Sequence, residues 1–280
     1  MNTKIFLDSG DPAETRHTLA TLGFLDGQTT NPSLVAKNPH IQELKNQGLL
    51  NEESIWEKYR NVALEIHEAI PNGAISVEVY ADAETTADMM LAKARELASW
   101  FPGVYVKLPI TTVGLKVAEQ LVAEGVNVNM TLCFSQEQAA AVHAATRGAR
   151  PGQVFVSPFI GRLDDIGQQG VHLVKNIALM YQQWSSHVRV LAASIRGLEH
   201  LFAAMKAGAD IVTIPVMVAD LWATYGVDKD ISHYPLEISE KAPIQYKELR
   251  EQDWMIYDIE HPLTQKGIEK FASDWKNLFM

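Results

Sequence analysis

Eight short apolar runs recur along the chain, at 5–8, 24–29, 74–79, 104–107, 126–131, 154–157, 188–192 and 211–214. Runs of this length, rich in β-branched and aromatic residues, read as buried strands. The stretches between them have helical periodicity. In 83–100, Met89, Leu91, Ala94, Leu97 and Ala98 oppose Asp88, Lys93, Arg95 and Glu96, the mark of a helix with one apolar face. Segments 113–124, 135–146, 171–184 and 198–207 repeat the pattern. Strands separated by helices of this length pair in parallel through crossovers. About eight such units in one series predict an α/β chain closed into a single (β/α)8 TIM barrel rather than an open doubly wound sheet. Neither a GxGxxG fingerprint nor a Walker-type glycine-rich loop is present, which removes the main nucleotide-binding alternatives.

The length of 280 residues suits one large α/β barrel or two ordinary domains. No low-complexity linker divides the chain. Composition changes only after about Tyr225, where a segment rich in proline, histidine and charge runs to His261-Pro262. A last helix follows, with Ile268, Phe271, Trp275 and Leu278 spaced as one apolar stripe. The expected organisation is a barrel with the active site over 1–225 and a C-terminal extension over 226–280. The helix of that extension is expected to pack on the barrel or on a neighbouring subunit of a homo-oligomer.

Hydrophobic residues make up 47% and charged residues 21% of the chain, the proportions of a soluble globular protein. A net charge of -10 argues against a nucleic-acid partner. A protein this acidic that handles an anionic substrate must concentrate arginines locally. The single Cys133 rules out an internal disulfide framework and fits a reducing compartment. Residues 1–8 lack the apolar core of a signal peptide, and no run is long enough to span a bilayer, so a cytoplasmic protein without a membrane partner is expected. The nine histidines form no metal-ligand spacing, and Cys133 reads as a buried, inert thiol. No metal or other cofactor is called for.

Lys107 stands at the end of the apolar run Val104-Tyr105-Val106, just before Leu108-Pro109. Lysine is rarely buried, because desolvating an ammonium is costly unless it is paired or neutralised. A lysine ending such a strand suggests an amine kept for chemistry; the alternative is a side chain that snorkels to solvent. In barrels of this type the active site gathers at the C-terminal strand ends. Here those ends present Asp8, Asn31, Glu78, Lys107, Asn129 with Thr131, Ser157, and Ser194 with Arg196. One amine and two carboxylates at one mouth can form a Schiff base with a carbonyl and shuttle its protons. Arg162 and Arg196 are placed to hold a phosphate or similar anion. Plainer readings exist for several of these residues. Asp8 could cap the helix after Pro12, although Asp11 is the better cap, and Asn31-Pro32-Ser33 is a good turn-and-cap sequence. Thr131 and Ser157 could be turn residues, and either arginine could be a surface residue.

Together these residues resemble the transaldolase family of class I aldolases, which includes fructose 6-phosphate aldolase-like members. The resemblance lies in Phe6-Leu7-Asp8-Ser9-Gly10-Asp11, Thr29-Thr30-Asn31-Pro32-Ser33-Leu34, Val77-Glu78-Val79 and Val106-Lys107-Leu108-Pro109. It continues through Asn129-Met130-Thr131-Leu132-Cys133-Phe134-Ser135, Ser157-Pro158-Phe159-Ile160-Gly161-Arg162 and Ala193-Ser194-Ile195-Arg196, and returns at Lys270-Phe271-Ala272-Ser273-Asp274-Trp275. It implies that Lys107 forms the Schiff base with a ketose and that Asp8 takes the proton from the C4 hydroxyl. Glu78 and Thr131 would position a proton-relaying water, and Asn31, Asn129 and Ser157 would bind the hydroxyls of the three-carbon unit. Arg162, Ser194 and Arg196 would hold the phosphate of donor and acceptor sugars. Glu78 and Asn129-Met130-Thr131-Leu132 resemble true transaldolases, implying transfer of dihydroxyacetone from fructose 6-phosphate or sedoheptulose 7-phosphate to an aldose phosphate, as in the pentose phosphate pathway. The alternatives are an aldolase releasing dihydroxyacetone, the same chemistry on a sulfo-sugar, and a non-catalytic sugar-phosphate-binding barrel.

Overall fold

A computed structural model describes residues 3–227 and 240–279. The part of the expected polar segment at 228–239 lies outside the described residues. Eight strands run as β1 (Lys4–Asp8), β2 (Gly27–Thr29), β3 (Ala74–Glu78), β4 (Tyr105–Pro109), β5 (Asn127–Cys133), β6 (Val154–Pro158), β7 (Arg189–Ala192) and β8 (Ile211–Ile214). They close in chain order into a barrel, every neighbouring pair parallel, with β8 returning to β1. The predicted (β/α)8 TIM barrel is the fold.

The helices of the first half are α1 (Pro12–Leu22), α2 (Pro32–Ala36), α3 (Pro39–Asn46), α4 (Glu52–Ala69), α5 (Ala87–Ala98) and α6 (Thr112–Ala123). Those of the second half are α7 (Gln136–Ala145), α8 (Ile160–Asp165), α9 (Gly170–Gln183), α10 (Leu198–Lys206), α11 (Val216–Thr224) and α12 (Pro262–Lys276). Local chemistry sets their starts. Proline, pre-set for helical φ and lacking an N–H, opens α1, α2, α3 and α12. Asp11, not Asp8, caps α1, accepting from Ala13 N at 2.9 Å. Asn51 with Ser54, and Ser135 with Gln138, form reciprocal capping boxes at α4 and α7.

Two boundaries differ from the periodicity. β2 begins at Gly27 rather than at 24, because Asp26 turns its carboxylate onto Ile5 N at 2.9 Å. Gly27 itself is required by close approach: a Cβ there would lie 2.3 Å from Ala74 O and 2.7 Å from the Phe6 ring. Helix α5 begins at Ala87 rather than at 83, because Asp82 accepts from Glu84 N and Thr85 Oγ1, and Thr86 then caps. The longest helix, α4, had no counterpart among the expected segments, although Ile55, Tyr59, Val62 and Ile66 are its buried stripe.

Alternation along each strand stacks the barrel interior in layers. Phe6, Tyr105 and Phe155, on three separated strands, form an aromatic floor, with Tyr105 stacked on Phe155 at 4.1 Å and Phe6 edge-on to it at 6.2 Å. Two residues further along the same strands come Asp8, Lys107 and Ser157. The polar layer therefore rests on a packed apolar plug.

From Lys241 onward the chain crosses the outside of α9 and α7 as an extended strap. It is held by Asn176 Nδ2 donating to Ile244 O at 3.0 Å, and by Gln136 pairing with both backbone groups of Lys247 at 2.8 and 2.9 Å. The strap delivers α12 across the barrel mouth, against α2 and the end of β5. Among the described residues no helix is long and apolar enough to cross a membrane.

Candidate active site

Strands β3 and β4 place Glu78 directly beside Lys107 in register, both only 3% exposed. Lys107 Nζ lies 2.9 Å from Glu78 Oε2, an ion pair off the line of a hydrogen bond. The amine donates instead to Thr30 O at 3.3 Å. Burial pushes the Glu78 carboxyl above its usual range, and the neighbouring ammonium pulls it back in part. On β1 the half-buried Asp8 is likewise raised by desolvation, opposed by Lys107 and by the hydroxyl of Thr29, which donates to it at 2.7 Å. Thr29 in turn shares a 2.7 Å hydrogen bond with Thr213 on β8.

A cavity of about 220 Å³ opens above this layer at the C-terminal strand ends. Asp8, Asn31, Lys107, Ser157, Arg162 and Ser194 all line it. Glu78, Asn129 and Thr131 lie behind them, buried. Asn129 bridges the barrel, donating to Ser76 Oγ at 3.0 Å and accepting from Ser157 Oγ at 2.6 Å. Thr131 is followed by a bulge, where Leu132 takes φ 60° and the β5–β6 register shifts. Among the described residues, neither Thr131 Oγ1 nor Glu78 Oε2 has a hydrogen-bond partner, and both are buried.

Asn31 does what the plainer reading anticipated, its Oδ1 accepting from Leu34 N at 2.9 Å to cap α2, and it also faces the cavity. The two arginines part company. Arg162 reaches the cavity with no carboxylate in ion-pair contact among the described residues, and burial lowers its pKa. Arg196 does not line the cavity: its guanidinium is paired bidentately with Asp165 at the surface. Its backbone N–H donates to His200 Nδ1 at 3.3 Å, and His200 is held by Asp164 at 3.1 Å. Ser194 carries φ 60°, which turns its carbonyl onto Gly161 N at 3.0 Å and its residue into the cavity wall.

The barrel alone does not complete the cavity, since Lys270, Phe271 and Asp274 of α12 line it as well. Lys37, Ser33, Thr29 and Thr213 are further lining residues absent from the expected set. Thr29 and Ser33 lie within the Thr29-Thr30-Asn31-Pro32-Ser33-Leu34 motif and Thr29 ends a strand, so their positions were usable signals. Phe271 read as one member of an apolar stripe and, with Lys270 and Asp274, as part of the Lys270–Trp275 resemblance, with no place in the site. Cys133 is buried, its thiol pushed up to about 12 by desolvation and facing Ser135 O at 3.5 Å, which makes it a poor nucleophile. Among the described residues no group of three or more histidine, cysteine or acidic side chains is gathered for a metal.

A sequence model of the family described as Transaldolase/Fructose-6-phosphate aldolase matches residues 5–280, including the strap and α12. The chain is 36% identical over 275 residues to a protein named "Probable transaldolase" from Dehalococcoides mccartyi, covering 98% of this chain and 99% of that one. A protein of the same name from Herpetosiphon aurantiacus is 36% identical over 275 residues, covering 98% and 96%. A third so named, from Lactiplantibacillus plantarum, is 34% identical over 274 residues, again covering 98% and 96%.

Proposed function

This chain belongs to the transaldolase/fructose-6-phosphate aldolase family, and on that premise we propose that it is a transaldolase moving a dihydroxyacetone unit between sugar phosphates. The observation that carries this reading is the buried Lys107–Glu78 pair beneath a cavity that also exposes Asp8 and Arg162.

Glu78 takes a proton from the Lys107 ammonium, through a water held between Glu78 Oε2 and Thr131 Oγ1. The neutral amine attacks C2 of a ketose phosphate, and Glu78 returns the proton to the departing hydroxide as water. An iminium joins Lys107 to the sugar. Asp8 removes the C4 hydroxyl proton, the C3–C4 bond breaks, and its electron pair passes through C2 to the iminium nitrogen. The aldose phosphate leaves and an enamine remains. Asp8, raised by burial, is suited to hold that proton until the acceptor aldehyde adds. The enamine C3 then attacks the acceptor carbonyl, Asp8 protonates the new alkoxide, and water hydrolyses the iminium.

Asn31, Asn129 and Ser157 bind the hydroxyls of the three-carbon unit in this reading, while Arg162 and Ser194 take the phosphate. Arg196 joins them once a dianion draws it from Asp165, a pair that is exposed and so cheaply opened. The donors are fructose 6-phosphate or sedoheptulose 7-phosphate, and the setting is the pentose phosphate pathway of the cytoplasm. The 1–225 barrel supplies the chemistry, the 226–280 extension closes the cavity, and a homo-oligomer is the assembly.

Borohydride reduction in the presence of fructose 6-phosphate, followed by peptide mass mapping, tests the mechanism. A reduced three-carbon adduct on Lys107 is the expected result; no adduct with either donor overturns it. Release of free dihydroxyacetone without an acceptor would mark an aldolase instead.

A further inference from the structure

Two arginines near the cavity are satisfied in opposite ways. Arg196 spends its donors on Asp165 in a bidentate pair. Arg162 is flanked instead by two aromatic rings: its guanidinium carbon lies 5.0 Å from the centroid of Phe159 and 5.3 Å from that of Phe271. Phe159 immediately precedes α8, the helix that carries Arg162, but Phe271 comes from α12 at the far end of the chain. One helical turn before Phe271 stands Gly267. A Cβ there would lie 2.8 Å from Arg162 Nη1 and 2.6 Å from Leu132 Cδ2. The helix is pinned at this depth by Thr264 Oγ1, which donates to Leu132 O at 2.9 Å, and by Asp274, which accepts from Ser33 Oγ.

An aromatic face attracts a guanidinium electrostatically and packs against its plane, yet occupies none of its N–H donors. A carboxylate would fill two of those donors and cancel the charge. The arrangement around Arg162 therefore restrains a cation while, among the described residues, no carboxylate occupies the hydrogen-bonding edge that an incoming anion would take.

We infer that Phe271 and Gly267 of α12 are positioning residues for the anion subsite, holding Arg162 toward the cavity so that the C-terminal helix sets the preference for phosphorylated over neutral ketoses. The inference rests on the sugar-phosphate reading for its substrate, but not for its anion.

The test is calorimetric titration of the full-length protein with inorganic phosphate, for wild type, Phe271→Leu, Phe271→Tyr and Gly267→Ala. Phe271→Leu is expected to weaken phosphate about tenfold, and Phe271→Tyr, which keeps the ring, by about twofold at most, the difference being one partly desolvated cation–π contact. Gly267→Ala is expected to match Phe271→Leu, because the new methyl displaces the guanidinium. The preference for fructose 6-phosphate over fructose, as a ratio of kcat/KM, should fall by a similar factor in the Leu and Ala variants. Equal phosphate affinity in all four proteins, or equal weakening by leucine and tyrosine at position 271, overturns the inference. Phosphate binding that depends on Phe271 in a protein giving no borohydride adduct would retire the transaldolase reading and keep this one. An adduct on Lys107 in a wild type that binds no phosphate would do the reverse.

Discussion

The hydroxyl of Tyr59 accepts a hydrogen bond from the backbone N–H of Glu78 at 2.9 Å. The same hydroxyl donates to Thr30 Oγ1, and the Thr30 carbonyl receives Lys107 Nζ at 3.3 Å. One phenol on α4 thus braces both members of the buried ion pair. Trp56, Trp100 and Trp275 wall the ring in, and burial pushes its pKa further up, so the phenol stays protonated and able to donate. Tyr59→Phe leaves the Glu78 N–H and the Thr30 hydroxyl each short of a partner. The expected cost is about 1–3 kcal/mol of stability, read by urea denaturation, with kcat down about tenfold through a misplaced carboxylate. Unchanged kcat with lowered stability would leave Tyr59 as a packing residue only.

Breaking the ion pair from either side should be costly, and removing both charges should not be. Lys107→Met leaves Glu78 buried without its cation, at about 3–5 kcal/mol, and abolishes borohydride trapping. Adding Glu78→Leu to it should recover most of that stability, because two well-packed apolar side chains avoid the desolvation of two ions. Thermal denaturation of the two single variants and the double variant checks this. A double variant as unstable as Lys107→Met would mean that the pair contributes specific packing that apolar groups cannot replace.

Much of this was legible along the chain, for identifiable reasons. Alternation in β1, β4 and β6 put Asp8, Lys107 and Ser157 on the inner face two residues above an aromatic position, β3 put Glu78 there two residues above Ser76, and the parallel barrel carried all four to one end. Arg196 was less legible, because its partner Asp165 lies at the end of helix α8, after a different strand, and no local pattern links them. Tyr59 is the strongest case. Its spacing with Ile55, Val62 and Ile66 marks a buried helical face, but that its hydroxyl ends at Glu78 N depends on how α4 packs against β3. Phe271 shares the difficulty: an apolar stripe announces burial without saying which cation it meets.

Asp8 should show a trade between activity and stability. Burial raises its pKa, so the folded state holds the proton to higher pH than the unfolded chain. Ionising Asp8 as pH rises through the range above 3.8 therefore costs stability, and below that range the cost vanishes. Asp8→Asn removes the ionisation. Its melting temperature should exceed that of wild type at neutral pH and converge with it in acid, while kcat falls about 10²–10⁴-fold with the loss of the proton carrier. A variant less stable than wild type at neutral pH would show that the attraction to Lys107 outweighs the desolvation.

Acid sensitivity should originate far from the site. His187 is held down to about 4 from 6.5 by burial and by its neighbour His143, whose ring lies 5.1 Å away. Between those two pH values the unfolded chain takes a proton that the folded ring refuses, so stability falls as pH drops from 6.5 toward 4. At about 1.4 kcal/mol per pKa unit, reduced because the ring is only half-buried, the loss is about 1–2 kcal/mol. His187→Gln keeps a donor for Thr146 Oγ1, which stands 2.8 Å from Nε2, and should flatten the acid limb of a stability-versus-pH curve by that amount. An unchanged limb would move the origin to His143 or to the carboxylates.

Arg162 and Arg196 should differ in what their loss costs. Removing Arg162 deletes charged hydrogen bonds from a half-buried cation that has no competing carboxylate among the described residues, about 1.5–3 kcal/mol each. Arg196→Gln should cost less, because part of its attraction to phosphate is already offset by release from Asp165. Asp165→Asn then acts in the opposite direction: it frees Arg196 and should tighten phosphorylated substrates, by up to about 1 kcal/mol for a pair this exposed. Measured KM values for a phosphorylated donor, with Arg162→Gln the most affected and Asp165→Asn below wild type, would fit the geometry. Equal losses for both arginines would mean that Arg196 already faces the anion in solution and that its pairing with Asp165 contributes nothing to selectivity.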